Sequence, residues 1–137
     1  MDARLAQLIA AYQSAVARSV GLMVSQLGIR RPASSSEWAD MAFPRVGELP
    51  DGSRFYKHGY GCAVRTPEFG VDFDFGSEGQ ITGFCPYRLA HFAAKNTGHS
   101  NLNSQNEIER LVELSVESGE IVKSEYILYY LANEYSP

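Results

Sequence analysis

The sequence predicts an α+β fold, an antiparallel β-meander of four or more strands packed against a long N-terminal helix and two shorter helices. Three patterns predict it. Apolar residues recur at three- and four-residue steps over 3–27. Short alternating runs separated by glycine-marked turns fill 54–84. Two helix starts then follow, a proline at 86 and a serine-glutamate capping pattern at 104–107.

The first helix places Leu5, Leu8, Ile9, Tyr12, Val16, Val20, Met23 and Leu27 on one face. Asp2 suits its N-cap, Gly28 suits the left-handed residue past its end, and Pro32 blocks continuation. Gly21 marks a place for a bend. At roughly seven turns the helix either spans the whole core or presents part of its stripe to another chain. Residues 33–53 read as connective, with one helical turn at Ser36-Glu37-Trp38 and turns at Pro44, Gly47, Pro50 and Asp51-Gly52. Trp38 and Phe43 are expected to close one end of the core.

The meander begins with a strand at 54–58, followed by a bend at Gly59 and Gly61 and a second strand at 62–65. A turn at 66–70 leads to a strictly alternating strand, Val71 to Gly76. A tight turn at 77–79 leads to a fourth strand at 80–84. Connections this short join antiparallel neighbours. Helices are expected at 86–95 and 105–118, the second with Ile108, Leu111, Val112 and Ser115 inward and Gly119 at its end. The tail is rich in β-branched and aromatic residues; 126–133 fits a strand or a helix.

A chain of 137 residues, 45% hydrophobic and 20% charged, has the size and composition of one globular domain. No repeat and no linker divides it. Residues 1–65 hold eight Lys and Arg against five Asp and Glu, whereas 66–137 hold four against eleven. The acidic second half repels phosphate backbones, which argues against nucleic acid and favours a basic protein partner. Its plainer reading is a solvated glutamate-rich helix face. Cys62 and Cys85 are too few for a disulfide framework and lack zinc spacing, so both are read as reduced thiols. Residues 5–17 are uncharged but broken by Gln7 and Gln13, without the basic start of a signal peptide or the length of a membrane span. The expectation is a soluble cytoplasmic protein that binds no membrane.

Asp72 and Asp74 are the sharpest chemical feature. Two apart in a strand, they share a face opposite Val71, Phe73 and Phe75. Such a pair can hold a hard cation, or pair with Arg or Lys on an adjacent strand or a partner. No further ligands stand at telling spacing, so no metal and no cofactor is proposed. Arg88, His91 and Lys95 form a basic stripe on the 86–95 helix, read chiefly as solvated yet able to reach an acidic group of the chain's own sheet. His58 and Cys62 have the residue types of a base and a nucleophile, but the alternation turns Cys62 inward and no orienting third residue follows. The glycines at 59, 61, 76 and 79 join strand to strand, so they are not a phosphate loop. Tyr126, Tyr129, Tyr130 and Tyr135 suit either an interface or sheet packing.

On Gly61-Cys62, Val71-Asp72-Phe73-Asp74-Phe75-Gly76, Gly79, Gly83-Phe84 and Arg88-Leu89, with His58-Gly59 ahead of them, the chain resembles a small bacterial family without an established activity. That family pairs a long N-terminal helix with a Gly-Cys strand, a VDFDFG strand and a GF-x3-RL step into a helix. Cys85-Pro86-Tyr87 departs from its more polar helix start. By analogy of size and solitary-domain character, the resemblance implies an immunity-type protein that occludes a toxin. On this reading Asp72, Asp74, Glu109, Glu113 and Glu117 meet a basic partner surface, with Tyr129 and Tyr130 as apolar anchors. The reading favours binding over catalysis. Its alternatives are a small metal-dependent hydrolase using Asp72, Asp74 and His58, or a homo-oligomer assembled through the long helix.

Overall fold

A computed structural model describes residues 1–30, 32–41, 46–59, 61–79, 81–82, 86–96, 100–102 and 104–121. The chain is α+β, with helix α1 at Ala3–Leu27 and α2 at Ser35–Asp40. Five strands follow: β1 (Val46–Glu48), β2 (Arg54–His58), β3 (Gly61–Arg65), β4 (Gly70–Phe75) and β5 (Ile81–Thr82). Helices α3 (Pro86–Lys95) and α4 (Gln105–Glu117) complete the described elements, with a single 3-10 turn at Ser100–Leu102 between them. The strands form one antiparallel sheet in chain order.

The caps act as their residue types require. Asp2 Oδ1 accepts from the Arg4 and Leu5 amides at 2.8 and 3.2 Å, and Gly28 closes α1 with φ 66°, a backbone that costs a side chain but not glycine. Ser34 accepts from the Glu37 amide at 3.0 Å, and Ser104 caps α4 from the Glu107 amide. Gly119 follows α4 at positive φ.

Helix α1 spans the core. It buries Leu5, Leu8, Tyr12, Ala15, Val16, Ser19, Val20 and Met23 along its whole length. Length and composition alone would let α1 cross a membrane, with mean hydropathy 1.2 over its most apolar window. Here that apolar stripe is spent against the sheet and the neighbouring helices. The facing side of the sheet supplies Phe55, Cys62, Val64, Val71, Phe73, Phe75 and Ile81, all within 3% of full burial. Trp38, from α2, closes one end: its Nε1 donates to the Gly61 carbonyl at 3.0 Å, its ring lies 4.5 Å from that of Phe75, and Lys57 sits over it. Phe43, the other expected closure, lies outside the described residues.

One correction follows. Residues 33–53 are not purely connective, because β1 forms there by pairing Val46, Gly47 and Glu48 with Tyr56, Phe55 and Arg54. The fourth strand is described only as Ile81–Thr82; residues 80, 83 and 84 lie outside the described set, as does the tail from 122.

Among the described residues, β5 pairs with Asp74 and Phe75 and no strand lies beside the first half of β4. Helix α3 fills that place. Asn96, just past its end, accepts from the Gly70 amide at 3.1 Å and donates to the Gly70 carbonyl at 3.0 Å, imitating one residue of a paired strand. Further along, the Tyr12 hydroxyl donates to the Asp72 carbonyl at 2.7 Å. Asn96→Ala is expected to destabilise the fold by about 1 kcal/mol, since both Gly70 groups lose their partner but remain partly hydrated. Denaturant unfolding of the variant checks this, and a loss within error would reject the role given to Asn96.

Candidate functional site

The sheet face turned away from α1 carries a charged network. Register brings Tyr56, Ala63 and Asp72 into one cross-strand row, and His58, Gly61 and Asp74 into the next. Glycine and alanine in the middle leave room for the longer side chains on either side. From the β4 edge, α3 contributes Arg88 and His91, three residues apart on one helical face.

Asp72 lies at the centre. Its side chain is 12% exposed and has four cationic or imidazole neighbours. His91 Nε2 is 3.4 Å from Oδ2 and Arg65 Nη2 is 3.5 Å from the same oxygen; His58 Nε2 is 3.6 Å and Arg88 Nη1 is 3.8 Å from Oδ1. Asp74 is held more tightly, with Arg88 Nη2 donating to both its oxygens at 3.3 and 3.1 Å. Arg65 Nη1 is fixed by the carbonyls of Val64 and Val71 at 3.1 and 3.3 Å. Two arginines and two aspartates thus balance, with both imidazoles half-buried beside them. The Nε2 atom of His58 is itself buried without a hydrogen-bond partner, so Asp72 is the nearest group able to orient it. Tyr87 stacks on His91, ring centroids 6.3 Å apart.

Burial lowers the His91 pKa from its ordinary 6.5, and the nearby Lys95, Arg65 and Arg88 lower it further against the opposing pull of Asp72. The folded chain therefore takes up this proton less readily than the unfolded chain. The stability tied to His91 is full above pH 6.5 and is lost as the pH falls through the lowered value. His91→Gln should flatten that part of the acid loss, modestly because the ring is more than a third exposed. Denaturation curves at several pH values on both sides of the His titration test it; parallel pH slopes for variant and wild type would reject it.

The sequence reading placed Asp72 and Asp74 on one face, opposite the core, and they lie there. The Arg88–His91 stripe does reach the chain's own aspartates, so reading it chiefly as solvated understates it: Arg88 is only 20% exposed. Lys95 is exposed. Cys62 and His58 fall on opposite faces, and burial pushes the Cys62 thiol up to about 12, far from a nucleophile at neutral pH. Among the described residues no group of three or more His, Cys, Asp or Glu side chains is disposed to hold a metal ion. Arg65 and Arg88 stand where further ligands to the aspartates would be. Four polar residues of the resemblance pattern, His58, Asp72, Asp74 and Arg88, are brought together. Sequence reasoning named Arg65 only as an unspecified basic residue on an adjacent strand, and it missed Tyr12 and Asn96.

Residues 5–131 match the family model described as Domain of unknown function (DUF6896). The chain belongs to this family. No curated protein and no solved structure matches it. The match begins two residues into α1 and covers every later element through α4, so the network sits within the family's own extent.

The glutamates expected to meet a partner lie apart from the network. On α4, Glu113 and Glu117 are exposed and Glu109 is half-buried, bonded only by Gln105 Nε2 at 3.0 Å. Among the described residues no ion pair reaches the three. Tyr129, Tyr130, Cys85 and His99 lie outside the described residues.

Proposed function

We propose that the protein is a cytoplasmic binding module of immunity type, which neutralises a basic protein partner, such as a toxin, by covering its working surface. The observation that carries this reading is the row Glu109–Glu113–Glu117. Spaced four residues apart on one helix, these like charges destabilise α4 by roughly 0.2–0.5 kcal/mol per neighbouring pair. Arg110, three residues before Glu113, offsets part of that cost without forming an ion pair, and a basic surface would offset the rest. The free, buried thiol of Cys62 suits a reducing compartment. Asp74, a third exposed, offers a further acidic contact, while Asp72 mainly holds the arginines that shape the face. Tyr129 and Tyr130 remain the proposed apolar anchors. The metal-dependent hydrolase reading draws no support from aspartates already engaged by Arg65 and Arg88.

The test is capture of partners by the tagged full chain from its native host at low and high salt, followed by expression of the captured protein alone and with this chain. The expected result is a basic partner, released by salt, that arrests growth unless co-expressed with this protein. Reversing Glu113 and Glu117 together to lysine should weaken binding about tenfold, as expected for losing two rim charges each worth under a kcal/mol plus new repulsion. Unchanged affinity would remove α4 from the interface, and a partner that does not harm growth would end the immunity reading.

A further inference from the structure

A cleft of 460 Å³ opens between the second half of α1 and two turns beside it, β1–β2 and β3–β4. Its volume falls within the range of small-ligand sites. Gly21 stands in the α1 wall, in a helix interior where glycine is less stable than alanine. Packing does not require a glycine there, because an added Cβ would meet nothing within 4 Å. The missing side chain instead leaves the cleft open, with Leu22 and Pro67 as apolar surface around it.

The charges of the cleft do not balance. Arg18 and Glu68 neutralise each other: Arg18 Nη1 donates to Glu68 Oε2 at 2.6 Å, and the guanidinium lies over the Phe69 ring. Asp51, from the β1–β2 turn, makes no ion pair among the described residues, which leaves one uncompensated negative charge. Its Oδ1 accepts from the Ser53 amide at 2.9 Å. Hydrogen bonding to Ser53, through that amide above all, holds the Asp51 carboxyl below the usual carboxylate range, so it is ionised at neutral pH. The Ser53 hydroxyl belongs to the same wall, is fully buried and has no hydrogen-bond partner. Buried hydroxyls are ordinarily paired, so an orphan in the wall of a ligand-sized cleft points to a polar group that enters it.

We propose that this cleft binds a primary alkylammonium group, with Asp51 as its counter-ion, the Ser53 hydroxyl as a neutral acceptor, and Leu22 and Pro67 along the alkyl chain. An ammonium brings three donors and no acceptor, matching a carboxylate and a free hydroxyl oxygen. One Asp51 oxygen is already engaged by the Ser53 amide, which suits a point charge better than the two-pronged guanidinium fork. The group can come from a free small amine or from a lysine side chain of a protein. This site is separate from the α4 row: Gly21 lies about 26 Å along α1 from Arg4, which pairs with Glu107 of α4.

The experiment is an amide NMR titration of the full chain with pentylammonium at about pH 7, where the amine is charged. Pentanol and pentanoate serve as neutral and anionic controls. Saturable shifts at residues 18–25, 51–53 and 66–68 are expected with pentylammonium alone. Asp51→Asn keeps the bond from the Ser53 amide and should weaken binding at least about fivefold, as expected for losing one counter-ion. Gly21→Leu places a good helix former in the cleft and should abolish binding without lowering the urea midpoint. An end-blocked lysine separates the sources: tighter binding than pentylammonium assigns the cleft to a protein lysine, weaker binding to a free amine. Absent shifts at these positions, equal shifts with pentanol, or unchanged affinity in Asp51→Asn would each overturn the proposal. Reversing Glu113 and Glu117 leaves these shifts in place, so failure of this cleft and failure of the basic-partner reading are separately visible.

Discussion

Gly61→Ala is expected to cost about 2–3 kcal/mol. A Cβ at position 61 would run into the carbonyl oxygen of Phe73 and the carboxylate and Cα of Asp74. The backbone cannot simply retreat, because the Gly61 carbonyl is held by Trp38 Nε1 at 3.0 Å and Trp38 is fully buried. Relief must come from β4, where the Phe73 carbonyl and Asp74 would both have to shift, and displacing Asp74 would loosen Arg88 and with it α3. Gly21→Ala is the control: nothing lies within 4 Å of its added methyl, and alanine in a helix interior should stabilise by roughly 0.5–1 kcal/mol. Urea unfolding of both variants decides the matter; a neutral Gly61→Ala would show that the network yields without cost.

Asp72→Ala should follow at about 2 kcal/mol. Removing a counter-ion from a buried pair costs roughly 3–5 kcal/mol, and the part-exposure of Arg65 and Arg88 reduces that figure. Arg88 keeps Asp74, but Arg65 retains only carbonyl partners. Asp72→Asn keeps the shape without the charge and should lose less. The signature is a lower unfolding midpoint with an unchanged denaturant slope. Equal stabilities for wild type, Asp72→Ala and Asp72→Asn would reduce the network to surface decoration.

Much of the fold was legible because periodicity reports burial directly. The three- and four-residue steps of α1 match its buried stripe, and the alternation of β4 separates Phe73 from Asp72 and Asp74. Pro86 and the Ser104 cap marked the later helices because each satisfies or removes an orphan backbone group at a helix start. β1 was not legible, since three residues, one of them glycine, carry no period, and pairing with β2 makes them a strand. The network was half legible. The aspartates and the Arg88–His91 stripe each followed from local geometry, but their meeting depends on where α3 docks. Tyr12 and Asn96 gave no local signal: one reads as a core residue and the other as the end of a helix, and both act through contacts far away in sequence.

The side-chain amide beside Gly70 has a consequence for how the sheet ends. An edge strand left bare is a template on which another chain can add. At Gly70, among the described residues, that template is stopped by a rotatable group rather than by a neighbouring strand. Closing a sheet in this way needs no further chain segment and no barrel. It also makes the closure reversible, because a turn of the Asn96 side chain would expose the Gly70 amide and carbonyl without unfolding a strand or a helix. This border of the protein works as a latch, with its strength set by the two hydrogen bonds to Gly70 and a third from Asn96 Nδ2 to the Phe92 carbonyl at 2.7 Å.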